Sequence, residues 1–122
     1  MKITEIAFTV VPVTDLKTSR HFYEEILGLK PSSIWEQEGK GMIEYEIGSG
    51  AFAIGSGAPL FKPSVDGGAV AFEVENFDAA VKQLKRHHLP FQLEPHETPV
   101  CHMAVVSDPD GNFIMIHKRK AA

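Results

Sequence analysis

The chain reads as an α+β protein built from two βαβββ modules, and three observations carry that reading. Strand-like runs rich in β-branched residues recur along it. Two amphipathic helical stretches interrupt them at equivalent places. The order of elements also repeats at a fixed spacing: Phe8 matches Ala69, Val13 matches Val74, Asp15 matches Asn76 and Ile54 matches Met115, each 61 residues on. Identity across that spacing is low; what repeats is strand, helix and three strand-like pieces. The implied boundaries within one domain spanning 1–122 are a first module over about 1–57, a linker over about 58–68 and a second module over about 69–122.

Taken in order, Ile3 to Val13 is β-rich, with Pro12 near its end, where a missing ladder donor does little harm. Asp15 offers an N-cap, and Leu16, Tyr23, Ile26 and Leu27 form an apolar stripe at helical spacing. Gly28 follows where a left-handed C-cap belongs, and Pro31 blocks any restart. A loop or short strand through Ile34 and Trp35 leads to Met42–Ile47, which alternates strictly. Gly48-Ser49-Gly50 then reads as a hairpin turn and Ala51–Ile54 as its return strand. The glycine- and proline-rich stretch from Gly55 to Gly68 reads as connection, with Leu60 and Phe61 inside it. In the second half, Ala69–Glu75 is a strand, Asn76 a cap, and Phe77, Val81 and Leu84 mark a helix that frays near His87 and His88. Leu89, Phe91 and Leu93 make a short extended piece, followed by a loop carrying His96. Val100–Ser107 and Asn112–His117 flank a turn at Asp108-Pro109-Asp110-Gly111.

Composition narrows the classes. A hydrophobic share of 43% and a charged share of 23% suit a folded chain and exclude disorder by composition. A single cysteine excludes an internal disulfide and any cysteine-rich zinc motif. Cys101 precedes His102, but neighbouring strand residues point to opposite faces, so it reads as a small hydrophobe rather than half of a catalytic pair. A net charge of −4 argues against nucleic acid as a partner. The acid at Glu5 and the lack of a long apolar stretch argue against a secretory signal, and no window reaches the ~20 apolar residues of a membrane helix. The expectation is a cytoplasmic protein with no membrane partner.

The run Phe8-Thr-Val-Val-Pro-Val-Thr-Asp15-Leu16, then Phe22-Tyr23-Glu-Glu-Ile-Leu27-Gly28-Leu29, resembles the opening of the vicinal oxygen chelate superfamily. That superfamily includes glyoxalases, extradiol dioxygenases, fosfomycin-modifying enzymes and bleomycin-resistance proteins. Asp108-Pro-Asp-Gly-Asn112 before a final strand resembles its other motif. The resemblance implies paired modules whose sheets curl into an open, cup-shaped β-sheet with helices outside, and it implies a homodimer. It also places the metal ligands of metal-dependent members at Phe8, close to Ile54, at Ala69 and at Met115. None of these suits zinc, nickel or iron, so neither a metal nor any other cofactor is expected.

If Phe8, Ala69 and Met115 point into the cup, strand parity gives the rest of its lining. The floor is Phe8, Phe52, Ile54, Ala69, Phe113 and Met115, the polar groups are Glu44, Glu46, Glu73, His102 and His117, and Trp35 stands at the rim. Pairing Ser107 with Asn112 across the last turn sets His102 opposite His117, and the first hairpin sets Glu44 and Glu46 opposite Ile54 and Phe52. The histidine pair has two readings: a displaced metal or acid–base site completed by Glu44 or Glu73, with His102, His117 and Glu73 as catalytic candidates, or solvated side chains at a strand end.

These residues favour a metal-independent protein that holds an apolar or aromatic small molecule, with Trp35 and the acidic groups favouring a cationic one, as in bleomycin-resistance-like sequestration. Two alternatives stand beside it. One is a glyoxalase- or dioxygenase-like enzyme around His102 and His117; the other is a dimerisation module without a small ligand.

Overall fold

The structure, a computed structural model, describes residues 1–57 and 62–121; residues 58–61, within the expected linker and including Leu60 and Phe61, and residue 122 lie outside the described residues. The chain divides into two compact units, residues 1–63 and 64–122.

The first unit runs β1 (Thr9–Pro12), α1 (Leu16–Arg20) continuing as a π-helical segment (His21–Ile26), β2 (Pro31–Gln37), β3 (Lys40–Ile47) and β4 (Gly50–Ser56). The second runs β5 (Val70–Glu73), α2 (Phe77–Arg86), β6 (Phe91–Glu97), β7 (Cys101–Ser107) and β8 (Phe113–Arg119). Each unit holds one four-stranded sheet, in the orders β1-β4-β3-β2 and β5-β8-β7-β6. The first strand lies parallel to the last in each, and the other neighbours are antiparallel. Two similar βαβββ modules of an α+β protein are the result.

The helices start as the sequence predicts. Asp15 caps α1, its Oδ1 accepting the backbone N–H groups of Lys17 at 3.0 Å and Thr18 at 3.3 Å, and Asn76 Oδ1 accepts from Ala79 N at 3.0 Å at the head of α2. One face of each sheet is covered by its own helix. In the first unit Leu16, Phe22, Tyr23 and Ile26 of the helix and Ile43, Tyr45, Phe52 and Ile54 of the sheet are all buried. In the second, Leu84 of α2 and Ala104, Val106, Ile114 and Ile116 of the sheet are buried. Fully removing a large side chain of this kind from water is worth about 1.5–3 kcal/mol, so these two clusters are the main source of stability.

The repeat is real but its spacing drifts, and the drift is physical. Thr9 pairs with Phe52 and Val70 with Ile114, so β1 and β5 are 61 residues apart but β4 and β8 are 62 apart. The second module carries one more residue in its last hairpin. Ile47 pairs with Gly50 around a two-residue loop, whereas Ser107 pairs with Phe113 and Asp108 N–H donates to Asn112 O at 2.9 Å, leaving three residues in the loop. Helix ends drift the other way. The caps Asp15 and Asn76 are 61 apart, but the left-handed residues that close the helices, Gly28 (φ 80°) and His88 (φ 58°), are 60 apart. The extra residue of the first helix is absorbed as its π-helical turn, where Leu27 N–H donates to Phe22 O.

Three expectations about elements need correction. The first strand is Thr9–Pro12, not Ile3–Val13, and Met1–Phe8 lie outside it. Its only sheet neighbour, β4, begins at Gly50, so a ladder extended backwards from Thr9–Phe52 runs out of partner two residues earlier. Residues 31–37, read as a loop or short strand, form a strand of seven residues, closed onto β3 by a tight turn at Glu38 (φ 55°) and Gly39 (φ 78°). Residues 91–97 likewise form a strand that includes His96; Pro95 is tolerated because β6 is an edge and its pairing is irregular between Leu93 and His96.

Candidate functional site

The helix-free face of the first sheet carries a cleft of about 670 Å³. Its backbone frame is one row across all four strands: Trp35 pairs with Met42, Met42 with Gly55, and Gly55 with Pro12. Phe8 and Val10 extend the apolar lining from the side of β1, and Gln37, Glu38, Lys40 and Ser56 supply its polar groups. The hollow exists because position 55 has no side chain. A Cβ there would come no closer than 3.4 Å to Val10 Cγ2, so the space beside Gly55 is open rather than filled by a neighbour.

A second glycine shapes the same wall. Gly41 has φ 150°, and a Cβ on it would lie 1.9 Å from the Trp35 carbonyl oxygen, so only glycine lets β3 approach the strand that carries the indole this closely. Trp35 itself is 63% exposed and Phe8 44%. Large aromatic side chains left open to solvent beside a concave apolar surface are the usual composition of a ligand cleft.

The register moves part of the expected lining elsewhere. Tyr45 pairs with Phe52 and Ile43 with Ile54, while Glu44 pairs with Ala53 and Glu46 with Ala51. Glu44 and Glu46 were expected opposite Ile54 and Phe52; the hairpin loop holds two residues, not three, and the one-residue difference turns the return strand over. Phe52 and Ile54 are therefore core residues under the helix and not cavity floor, with the Phe52 ring centroid 5.3 Å from that of Tyr23 and 6.2 Å from that of Tyr45. Glu44 is half-buried on the open face and Glu46 exposed; neither lines the cleft.

The same slip separates the two histidines. His102 pairs with Lys118 and Met103 with His117, so His102 and His117 lie on opposite faces of the second sheet. His102 faces the helix, its ring 5.5 Å from that of Phe77 at the start of α2. The expected facing of His102 and His117 is not what the register shows, because Ser107 pairs with Phe113 rather than with Asn112, which shifts β8 by one residue against β7. His117 instead meets Glu73, its partner on β5: His117 Nδ1 lies 2.6 Å from Glu73 Oε1, and Glu73 Oε2 accepts the Arg119 backbone N–H at 2.7 Å. That backbone donor first, and the imidazole next, hold the Glu73 carboxyl below the usual carboxylate range. Met115 is half-buried on this face, Phe113 is 37% exposed, and Ala69 is exposed one residue before β5.

The metal positions implied by the resemblance fail on donor chemistry. On β4 the residues sharing the open face are Ala51, Ala53 and Gly55 rather than Ile54, and Phe8, Ala69 and Met115 offer no nitrogen or oxygen ligand. Among the described residues no three histidine, cysteine, aspartate or glutamate side chains are grouped so as to hold an ion.

Sequence reasoning missed Pro12, Met42 and Gly55 as lining and missed a polar network beneath the sheet. Arg20 donates to Glu24 through Nε at 2.6 Å and Nη2 at 3.1 Å, and Tyr45 Oη donates to Glu24 Oε2 at 2.9 Å. Burial and the Glu24 carboxylate push the Tyr45 hydroxyl far above its usual range. Burial pushes Glu24 up, but the hydrogen bonds from Arg20 and Tyr45 outweigh it and leave the carboxyl below its usual value. The available signal was the helical spacing of Arg20 and Glu24 together with a tyrosine on the helix-facing parity of its strand.

Comparisons with known proteins agree with this architecture. The sequence model of the Glyoxalase/Bleomycin resistance protein/Dioxygenase superfamily matches residues 5–116. Among solved structures, TnmS3, an antibiotic binding protein from Streptomyces sp. CB03234, superposes with a TM-score of 0.81 at 22% identity, covering 98% of this chain and 99% of its own. A protein of Bacillus anthracis assigned to the glyoxalase family gives 0.78 at 25% identity, covering 98% of both chains. Lactoylglutathione lyase from Agrobacterium tumefaciens gives 0.75 at 17% identity, covering 96% of this chain and 95% of its own. No curated protein matches the sequence significantly. No helix among the described residues is long and apolar enough to cross a membrane.

Proposed function

The chain belongs to the Glyoxalase/Bleomycin resistance protein/Dioxygenase superfamily, and from that premise we propose that it is a metal-independent binding protein for a planar, apolar small molecule. The observation that carries this reading is the cleft over Trp35, Met42, Gly55 and Pro12, whose volume of about 670 Å³ suits a drug-sized ligand. Its geometry favours sequestration: an exposed indole at one end and an apolar row beneath it. Similarity to an antibiotic binding protein supports the same class. The lining holds one carboxylate, Glu38, and one ammonium, Lys40, with the acidic Glu44 and Glu46 outside it. That balance favours a neutral ligand over the cationic one that the acidic residues suggested in the sequence.

Trp35 is the single tryptophan, so its emission reports on the cleft alone. Nile red, a neutral planar dye, serves as probe. Binding should brighten the dye and change Trp35 emission. Gly55→Leu should abolish binding while circular dichroism and melting temperature stay near wild type, because a Cβ at this position meets Val10 Cγ2 at 3.4 Å and backbone only at 3.9 Å, the Gly41 carbonyl oxygen. Saturable binding that Gly55→Leu leaves intact, or no binding to the wild-type protein, rules out this cleft as the site. Binding that EDTA abolishes rules out metal independence.

The same reading takes the protein as cytoplasmic and homodimeric. Its lone cysteine is a buried free thiol, and Ile3 and Ile6 ahead of β1 are 83% and 81% exposed, apolar surface that a second copy would cover. Sedimentation of the full chain tests the dimer, and a monomer at all concentrations refutes it.

A further inference from the structure

The second sheet holds a pair of side chains that neither the family nor the cleft accounts for, and its geometry is that of a directed proton acceptor. A carboxylate has no proton to give, so the Nδ1–Oε1 contact of 2.6 Å between His117 and Glu73 requires the hydrogen on Nδ1. In the neutral ring the lone pair then falls on Nε2. Glu73 cannot swing away freely, because its other oxygen is held by the Arg119 backbone N–H at 2.7 Å. The ring is thereby oriented as well as tautomerically fixed. An ordinary surface ion pair lacks that third contact and is worth little.

The ring nitrogens point in roughly opposing directions, so with Nδ1 turned to β5 the lone pair of Nε2 is directed away from that strand. Met103 lies opposite His117 on β7, Met115 shares the face two residues earlier, and Ala71 pairs with Met115. These apolar residues lie on one side of the acceptor, with Arg119 two residues further along β8 on the same face and His96 beyond Met103 on β6; His117 is partly covered, its side chain 22% exposed.

We propose that the Glu73–His117 pair is a recognition site for a weakly acidic hydroxyl on an aromatic ligand, a phenol or an enol. The ring lies on the Met103, Met115 and Ala71 surface. Its O–H donates to His117 Nε2 and, in the fully transferred state, the O–H bond breaks as an Nε2–H bond forms. The imidazolium then sits between the phenolate and the Glu73 carboxylate, and no other reactant is consumed. This site uses residues of the second unit only and does not depend on the cleft of the first.

Two measurements on the full chain test it. Heteronuclear NMR of the imidazole nitrogens, with the ring neutral, should show His117 as the Nδ1–H tautomer in the wild-type protein and a mixture in Glu73→Gln. para-Nitrophenol should bind about tenfold more tightly than para-nitroanisole, which has the same ring and no O–H, with the yellow phenolate band appearing on binding. His117→Phe, which keeps a ring at the position, should erase that preference with circular dichroism unchanged. An Nε2–H tautomer in the wild-type protein, equal binding of the two probes, no binding of either, or a preference that survives His117→Phe overturns the proposal. Loss of Nile red binding in Gly55→Leu leaves it standing, so the two readings fail separately.

Discussion

His88 is a residue in a glycine's place. It closes α2 with φ 58°, in the position that Gly28 occupies after the first helix with φ 80°. A side chain in the left-handed region costs about 1–2 kcal/mol, part of which glycine returns as lost chain entropy. His88→Gly should therefore stabilise the protein by about 0.5–1 kcal/mol, read as a melting temperature higher by a few degrees. A lower melting temperature would mean that the imidazole makes an interaction worth more than the backbone strain. Gly41 behaves oppositely. With a Cβ placed 1.9 Å from the Trp35 carbonyl oxygen, Gly41→Ala forces β2 and β3 apart. We expect a loss of about 2 kcal/mol or more in urea unfolding, together with loss of Nile red binding as the indole moves. Gly55→Leu should separate these effects, removing binding and sparing stability. Together the two glycines distinguish a residue that shapes the wall of the cleft from one that leaves its space open.

At the scale of elements, the last hairpin is held by a buried carboxylate. Asp108 Oδ1 accepts the backbone N–H groups of Asp110 and Asn112, each at 2.9 Å, and Oδ2 accepts from Asn112 Nδ2 at 2.8 Å. Asp108 is 4% exposed and Asn112 5%, so Asp108→Ala strands buried donors and should cost about 2–3 kcal/mol in urea unfolding, with a smaller loss overturning that reading. That turn also shows how much the sequence could reveal. Helices, caps, the duplication and the strands of both hairpins were legible because alternation and capping are local signals. Register was not, because it depends on loop residues counted singly. An Asp-Pro-Asp-Gly stretch reads equally as a four-residue turn or as a three-residue loop flanked by Asp108 and Asn112. Choosing the former put His102 beside His117, and reading three residues into the first hairpin loop put Phe52 and Ile54 on the wrong face. Phe8 and Trp35 survived as lining of the cleft because neither was placed by counting across a hairpin. Gly55 was illegible for another reason: a hollow is made by a missing side chain, and only the neighbours' positions show that nothing fills it.

For the molecule as a whole, each unit covers one face of its sheet with a helix and leaves the other open, and the open faces carry large apolar side chains among their polar ones. Trp35 and Phe8 are exposed in the first unit and Leu93 and Phe113 in the second. An antiparallel sheet that meets water normally alternates polar residues onto that side. Those exposed apolar side chains suit the small-molecule binding proposed above. Stability then rests mainly on the helix-covered faces, where Glu24 is a carboxylate bound by Arg20 and Tyr45. Its folded pKa lies below the unfolded value of about 4.3, because the hydrogen bonds from Arg20 and Tyr45 outweigh the burial that pushes it up. The stability it contributes is therefore fully present above the unfolded value and lost as pH falls through the folded one. Glu73 and Glu97 are also lowered and act in the same direction, but they are solvent-exposed and count for less. Urea unfolding followed downward from about pH 5 should show an acid limb below about pH 4 that Glu24→Gln flattens and Glu97→Gln barely alters. Glu24→Gln should also cost about 1–2 kcal/mol at neutral pH, since the amide keeps the shape of the network and loses its charge. An acid limb unchanged in Glu24→Gln would place the acid-sensitive contacts outside the helix-covered core of the first unit.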